Sequence, residues 1–106
     1  MKEITVQELK KKFDRDESFF LLDVREQFEY QISNIDGTLV PLDLLPEKID
    51  EFEDKKDKEV IVMCRSGGRS AKACKLLSKH GFSDVKNLKG GINAWAREID
   101  SSLPVY

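Results

Sequence analysis

Apolar residues in this chain come either in unbroken runs or at helical spacing. Two runs are continuous: Phe19-Phe20-Leu21-Leu22, carried on to Val24, and Val60-Ile61-Val62-Met63. Unbroken runs of strand length predict strands buried on both faces of a sheet. Three shorter candidates accompany them: a brief edge strand at Ile4, then Thr38-Leu39-Val40 closed by Pro41, and Val85 to Leu88. Helical spacing fills the gaps. Thr5 and Glu8 have the spacing of a capping box, which opens a helix through Phe13. Arg25 to Ile32 reads as a helix with Phe28 and Ile32 on one side. Pro46 suits the first turn of a helix to Phe52. Ala73, Leu76, Leu77 and His80 place another from Ser70 to Lys79, stopped by Gly81, and Ile92 to Ile99 carries Trp95. Strands alternating with helices predict an α/β fold, with a mainly parallel sheet covered on both faces.

Composition narrows this picture. At 106 residues, without repeat or linker, the chain is expected to form one domain over residues 1–106. A chain 40% hydrophobic and 36% charged is globular in type, not disordered. The net charge of −2 offers no global field for nucleic acid or an acidic membrane, so any anion site must be local. The charged stretch Asp50 to Glu59 mixes both signs and reads as solvated surface. No apolar run is long enough for a signal peptide or a membrane span, and with two cysteines a reducing cytoplasm is expected. Cys64, Cys74 and the single His80 fall short of a structural zinc set, so no metal is expected.

The chemistry gathers where the second apolar run stops. Cys64-Arg65-Ser66-Gly67-Gly68-Arg69 joins that strand to the helix expected from Ser70. Ligands of parallel sheets bind beyond the carboxyl ends of the strands, where Cys64 falls. The glycines permit positive φ and close approach to the main chain. A tight turn into a helix N-terminus then aims several N–H groups into one anion-binding concavity. Those donors, with Arg65 and Arg69, would stabilise a thiolate and make Cys64 nucleophilic. There is no GxxxxGK[ST] loop and no GxGxxG, so nucleotide binding is not supported.

The segment "CRSGGRS" after "VIVM" resembles the active-site loop of single-domain rhodaneses, a sulfurtransferase family. "LLDVREQFEY" is similar to the family's Asp-Val-Arg-Glu segment, and "GFSDVKNLKGGINAW" to its ending with a Gly-Gly pair and a Trp. "NIDGTLVPL" departs from the family pattern: Ser33-Asn34 stands for Gly-His and Asp36-Gly37 for Pro-Gly. The resemblance implies a parallel sheet of about five strands and a double displacement without metal or organic cofactor. In that reaction Cys64 takes the outer sulfur of a small anionic donor such as thiosulfate and passes it to cyanide, a thiol or a protein acceptor. Arg65, Ser66, Gly67, Gly68, Arg69 and Ser70 are then the substrate-binding loop. Asp23 and Arg25, just past a strand end, are expected to support it as an ion pair or helix cap.

Two rivals follow. Dual-specificity phosphatases and some arsenate reductases resemble rhodaneses but space cysteine and arginine as Cys-x5-Arg. Here the spacing is Cys-x4-Arg, Cys64 to Arg69, which favours sulfur over phosphate. The second rival is a sulfur carrier or interaction module of low turnover, and a domain of this size is expected to present a shallow, exposed site. Cys74, one turn into its helix, is expected to be buried and not to act as a resolving thiol. Trp95 is read as core, and His80 as a helix-end residue without a catalytic role.

Overall fold

The computed structural model describes residues 1–106. In chain order the elements are β1 (Lys2–Ile4), α1 (Val6–Asp14), β2 (Phe20–Asp23), α2 (Gln27–Ile32) and β3 (Thr38–Leu39). A 3-10 turn (Leu42–Leu44), α3 (Leu45–Lys48), a second 3-10 stretch (Ile49–Lys55), β4 (Glu59–Met63), α4 (Gly68–Lys79), β5 (Asp84–Leu88) and α5 (Gly91–Glu98) complete it.

The five strands lie in the order β1-β5-β4-β2-β3, all parallel, so β4 is the central strand. Successive side chains of a strand point to opposite faces. Val60, Val62 and Cys64 enter one core with Leu45 and Ile49 before β4 and Ala73, Cys74 and Leu77 of α4. Ile61 and Met63 enter the other core with Val6 and Leu9 of α1 and Ile92 and Trp95 of α5. Both faces of β4 are buried, which is why its sequence does not alternate. The Thr5–Glu8 capping box forms, with Glu8 N–H bonded to Thr5 Oγ1 at 3.1 Å and Thr5 N–H to Glu8 Oε1 at 2.9 Å. Trp95 is core and meets the Phe13 ring edge-to-face at 5.7 Å.

Three expectations are corrected. The Pro46–Phe52 helix is one short α segment, Leu45–Lys48, followed by 3-10 geometry from Ile49; within that stretch Phe52 leaves helical dihedrals (φ −110°, ψ 22°), and its ring packs on Phe20 at 5.2 Å. The helix expected from Arg25 begins at Gln27; Phe28 and Ile32 on it are 64% and 48% exposed, and Glu29 is its buried side chain. The helix after the cysteine loop begins at Gly68, not Ser70, so Gly68, Arg69 and Ser70 form its first turn.

Candidate active site

The cysteine turn is held from below by α5. Gly91 sits at φ +58°, and a Cβ on it would lie 2.4 Å from the Cys64 carbonyl oxygen and 2.5 Å from that of Arg65. Without that Cβ, the Ile92 N–H donates to Cys64 O at 3.0 Å and the Asn93 N–H to Arg65 O at 3.1 Å. The first turn of one helix thereby satisfies the carbonyls that leave the central strand. Gly67, at φ +119°, then reverses the chain into α4. Gly68 needs no such freedom: its dihedrals are helical and a Cβ there meets nothing within 4 Å.

Inside this turn lies the Cys64 sulfur. The Gly67 N–H donates to Sγ at 3.1 Å and the Ser70 N–H at 3.5 Å, while Ser70 Oγ lies 3.3 Å away. Burial pushes the thiol pKa up. The Ser70 hydroxyl and the N–H groups of Ser70, Gly67 and Ser66 outweigh burial and bring it below the ordinary value. Cys64 is only 1% exposed, so its sulfur is not the exposed group expected; the loop residues Arg65, Ser66 and Gly68 are exposed around it.

Asn87 of β5 stands behind the cradle and was not identified from the sequence. It donates through Nδ2 to Gly67 O at 3.1 Å, which turns its Oδ1 to within 2.5 Å of Ser70 Oγ. A hydroxyl has one proton and two lone pairs. Ser70 can donate to Asn87 while a Cys64 thiol points at Oγ, or turn its proton to the sulfur once Cys64 ionises. The signal was present: Asn87 occupies the same strand face as apolar Val85, where a polar residue must be buried and bonded.

The arginines differ. Arg69 Nη1 and Nη2 donate to Glu29 at 2.6 and 2.9 Å, a bidentate pair that leaves its guanidinium engaged by a carboxylate. Those hydrogen bonds hold the Glu29 pKa down to about 2. Arg65 carries no such pair and lies over the Tyr106 ring, 5.0 Å from its centre. Asp23 and Arg25 are fully buried and joined by Arg25 Nε and Nη2, the latter at 2.8 Å. Arg25 also donates to the carbonyls of Glu29 (3.3 Å) and Ser33 (2.9 Å) and to the Tyr106 hydroxyl (2.9 Å). Its contacts run to α2 and Tyr106, so it reaches the cysteine loop through Glu29 and Arg69. Glu29, Asn93 and Tyr106 were not singled out in the sequence, where each reads as ordinary surface.

Cys74 is buried, and burial followed by the nearby Cys64 charge pushes its thiol up to about 12. Both cysteines are free. His80 ends α4 with Nδ1 3.0 Å from the Leu76 carbonyl oxygen, away from the cradle.

The chain is similar to known proteins. The model of the rhodanese-like domain family matches residues 5–98. A putative sulfurtransferase of Bacillus subtilis is 40% identical, covering 92% of this chain and 93% of the relative. An adenylyltransferase and sulfurtransferase of Zea mays is 38% identical across 97% of this chain, which spans only 23% of that longer protein. The crystal structure of a rhodanese-like domain protein from Staphylococcus aureus superposes with a TM-score of 0.84 at 33% identity, covering 100% of this chain and 99% of the other.

Proposed function

This chain belongs to the rhodanese-like domain family of sulfurtransferases, and on that premise we propose that it moves a sulfane sulfur from a thiosulfate-like anion to a thiophilic acceptor through Cys64. The Cys64 thiolate attacks the outer sulfur of the donor. The donor's S–S bond breaks, sulfite leaves with the electron pair, and Cys64 carries a persulfide. Cyanide or a thiolate then attacks the terminal sulfur, that S–S bond breaks in turn, and the Cys64 thiolate returns. No outside oxidant or reductant is needed.

The observation that carries this reading is the set of donors around one sulfur: Gly67 N–H, Ser70 N–H and Ser70 Oγ within 3.1 to 3.5 Å. They stabilise the attacking thiolate and, when the acceptor removes the sulfur, the thiolate that returns. Arg65 supplies positive charge at the rim for an anionic donor. Ser66 and Gly68 complete the loop, Arg69 anchors it to Glu29, and Asp23 with Arg25 hold the ground beneath Glu29. No helix of the chain is long and apolar enough to cross a membrane, and a reducing compartment such as the cytoplasm suits a free thiolate.

The test is a paired assay. Thiocyanate forms from thiosulfate and cyanide, and an aryl phosphate is not hydrolysed. The reverse pattern overturns the sulfur reading. Rapid single turnover with negligible steady-state turnover would instead mark a sulfur carrier.

A further inference from the structure

Tyr106 lies beyond the stretch matched by the family model, in the segment that follows α5, yet it bonds residues that hold the cysteine loop, Asn93 and Glu29. Its main chain is clamped by Asn93: Asn93 Nδ2 donates to Tyr106 O at 3.0 Å, and the Tyr106 N–H donates to Asn93 Oδ1 at 3.2 Å. Asn93 is the same residue whose N–H holds the Arg65 carbonyl. On the opposite side, the Tyr106 hydroxyl accepts from Arg25 Nη1 at 2.9 Å and donates to Glu29 Oε2 at 2.8 Å. The ring is therefore fixed at both ends, and Arg65 rests on its face.

We propose that Tyr106 is a positioning residue that holds Arg65 beside the Cys64 cradle to receive an anionic sulfur donor; this rests on reading Cys64 as the nucleophile. Arg69 and Arg25 are each paired with a carboxylate, so Arg65 is the loop cation whose charge remains for a ligand. An exposed arginine side chain has several rotatable bonds and, untethered, spreads its charge through a wide shell of solvent. A ring face within 6 Å of a guanidinium attracts it through the ring quadrupole. Stacking does not consume the cation's charge as a carboxylate does, and it leaves the guanidinium N–H groups at its edge free for oxygen atoms of a ligand. Tyr106 thus concentrates positive charge at the rim without neutralising it.

The experiment compares alkylation of Cys64 in the full chain by iodoacetate, an anion, and iodoacetamide, its neutral counterpart, read by mass at Cys64. The ratio of the two rate constants reports local positive charge and does not depend on sulfurtransferase turnover. Tyr106→Leu is expected to lower the iodoacetate-to-iodoacetamide ratio by about two- to five-fold, the scale of an exposed cation–π contact. Tyr106→Phe keeps the ring and the main-chain clamp but loses the hydroxyl anchor, so its ratio should fall less than that of Tyr106→Leu. Arg65→Gln lowers it, and Arg65→Gln with Tyr106→Leu should match Arg65→Gln alone, because the second change acts through the first. An unchanged ratio in Tyr106→Leu overturns the proposal, and so does a further fall in the Arg65→Gln background. If thiosulfate is turned over, Tyr106→Leu should raise KM with kcat little changed; a fall in kcat at constant KM contradicts the assignment. Should the chain prove inactive on thiosulfate, the alkylation ratio still decides the role of Tyr106.

Discussion

Arg69 stands in the first turn of α4 and is fastened to Glu29 of α2 by two hydrogen bonds, at 2.6 and 2.9 Å. The pair ties the helix that presents N–H groups to Cys64 to α2. It also turns an arginine expected to face a ligand into part of the loop's foundation.

That pair gives stability a definite acid dependence. The folded Glu29 pKa is held down to about 2, from an ordinary 4.5, chiefly by the Arg69 hydrogen bonds. Its contribution is fully present above pH 4.5 and is lost as pH falls towards 2. Glu29→Gln should therefore destabilise the chain at neutral pH by about 1–2 kcal/mol, allowing for solvent screening of the partly exposed Arg69. Urea unfolding at several pH values should show the gap between native chain and variant closing in that acid window. A gap that stays constant with pH contradicts the pairing.

Ser70 and Asn87 are expected to govern Cys64 reactivity. Ser70→Ala removes a hydroxyl from the sulfur, and alkylation by iodoacetamide at neutral pH should slow about three- to ten-fold, the scale of one ordinary net hydrogen bond. Asn87→Asp preserves shape but brings a carboxylate to Ser70, so it should also raise the Cys64 pKa and displace the alkylation profile to higher pH. Profiles identical to that of the native chain would remove Asn87 and Ser70 from the account.

The glycines at the start of α4, Gly67 and Gly68, and Gly91 at the start of α5 should respond unequally to alanine. Gly91→Ala drives a Cβ into the carbonyl oxygens of Cys64 and Arg65 at a positive φ, and should cost several kcal/mol, roughly 3 or more. Gly68→Ala falls at a helical position with open space and should stabilise by about 0.5–1 kcal/mol. Gly67→Ala is strained by its φ of +119°. Denaturation midpoints order them; a neutral Gly91→Ala contradicts the close approach.

The two cysteines should separate cleanly by reactivity. Cys74, buried with its pKa pushed up to about 12, should resist iodoacetamide at pH 8 in the folded chain, while Cys64 reacts. Intact mass should show one modification under native conditions and a second only in denaturant. Two modifications on the folded chain would make Cys74 a second reactive thiol.

Much of the fold was legible because its signals are local. The unbroken run Val60 to Met63 required a strand with two buried faces, and Thr5 with Glu8 required a helix start; both are present. The cysteine turn was legible for the same reason, since its glycines and cysteine are adjacent in sequence. What escaped depends on long-range packing. Phe52 leaves helical dihedrals where its ring packs on Phe20, and Glu29 is buried where Arg69, forty residues on, meets it. Tyr106 gives no local sign of its hydrogen bonds to Arg25 and Glu29, residues near the opposite end of the chain. Asn87 was readable in principle from its strand face, although not its partner Ser70.

Intact mass of the full chain after incubation with thiosulfate tests the central claim most directly. The native protein should gain one sulfur atom, lose it on addition of cyanide, and show no gain when Cys64 is replaced by serine. A Cys64→Ser chain that still takes up the sulfur, or a native chain that takes up none, would contradict a Cys64 persulfide.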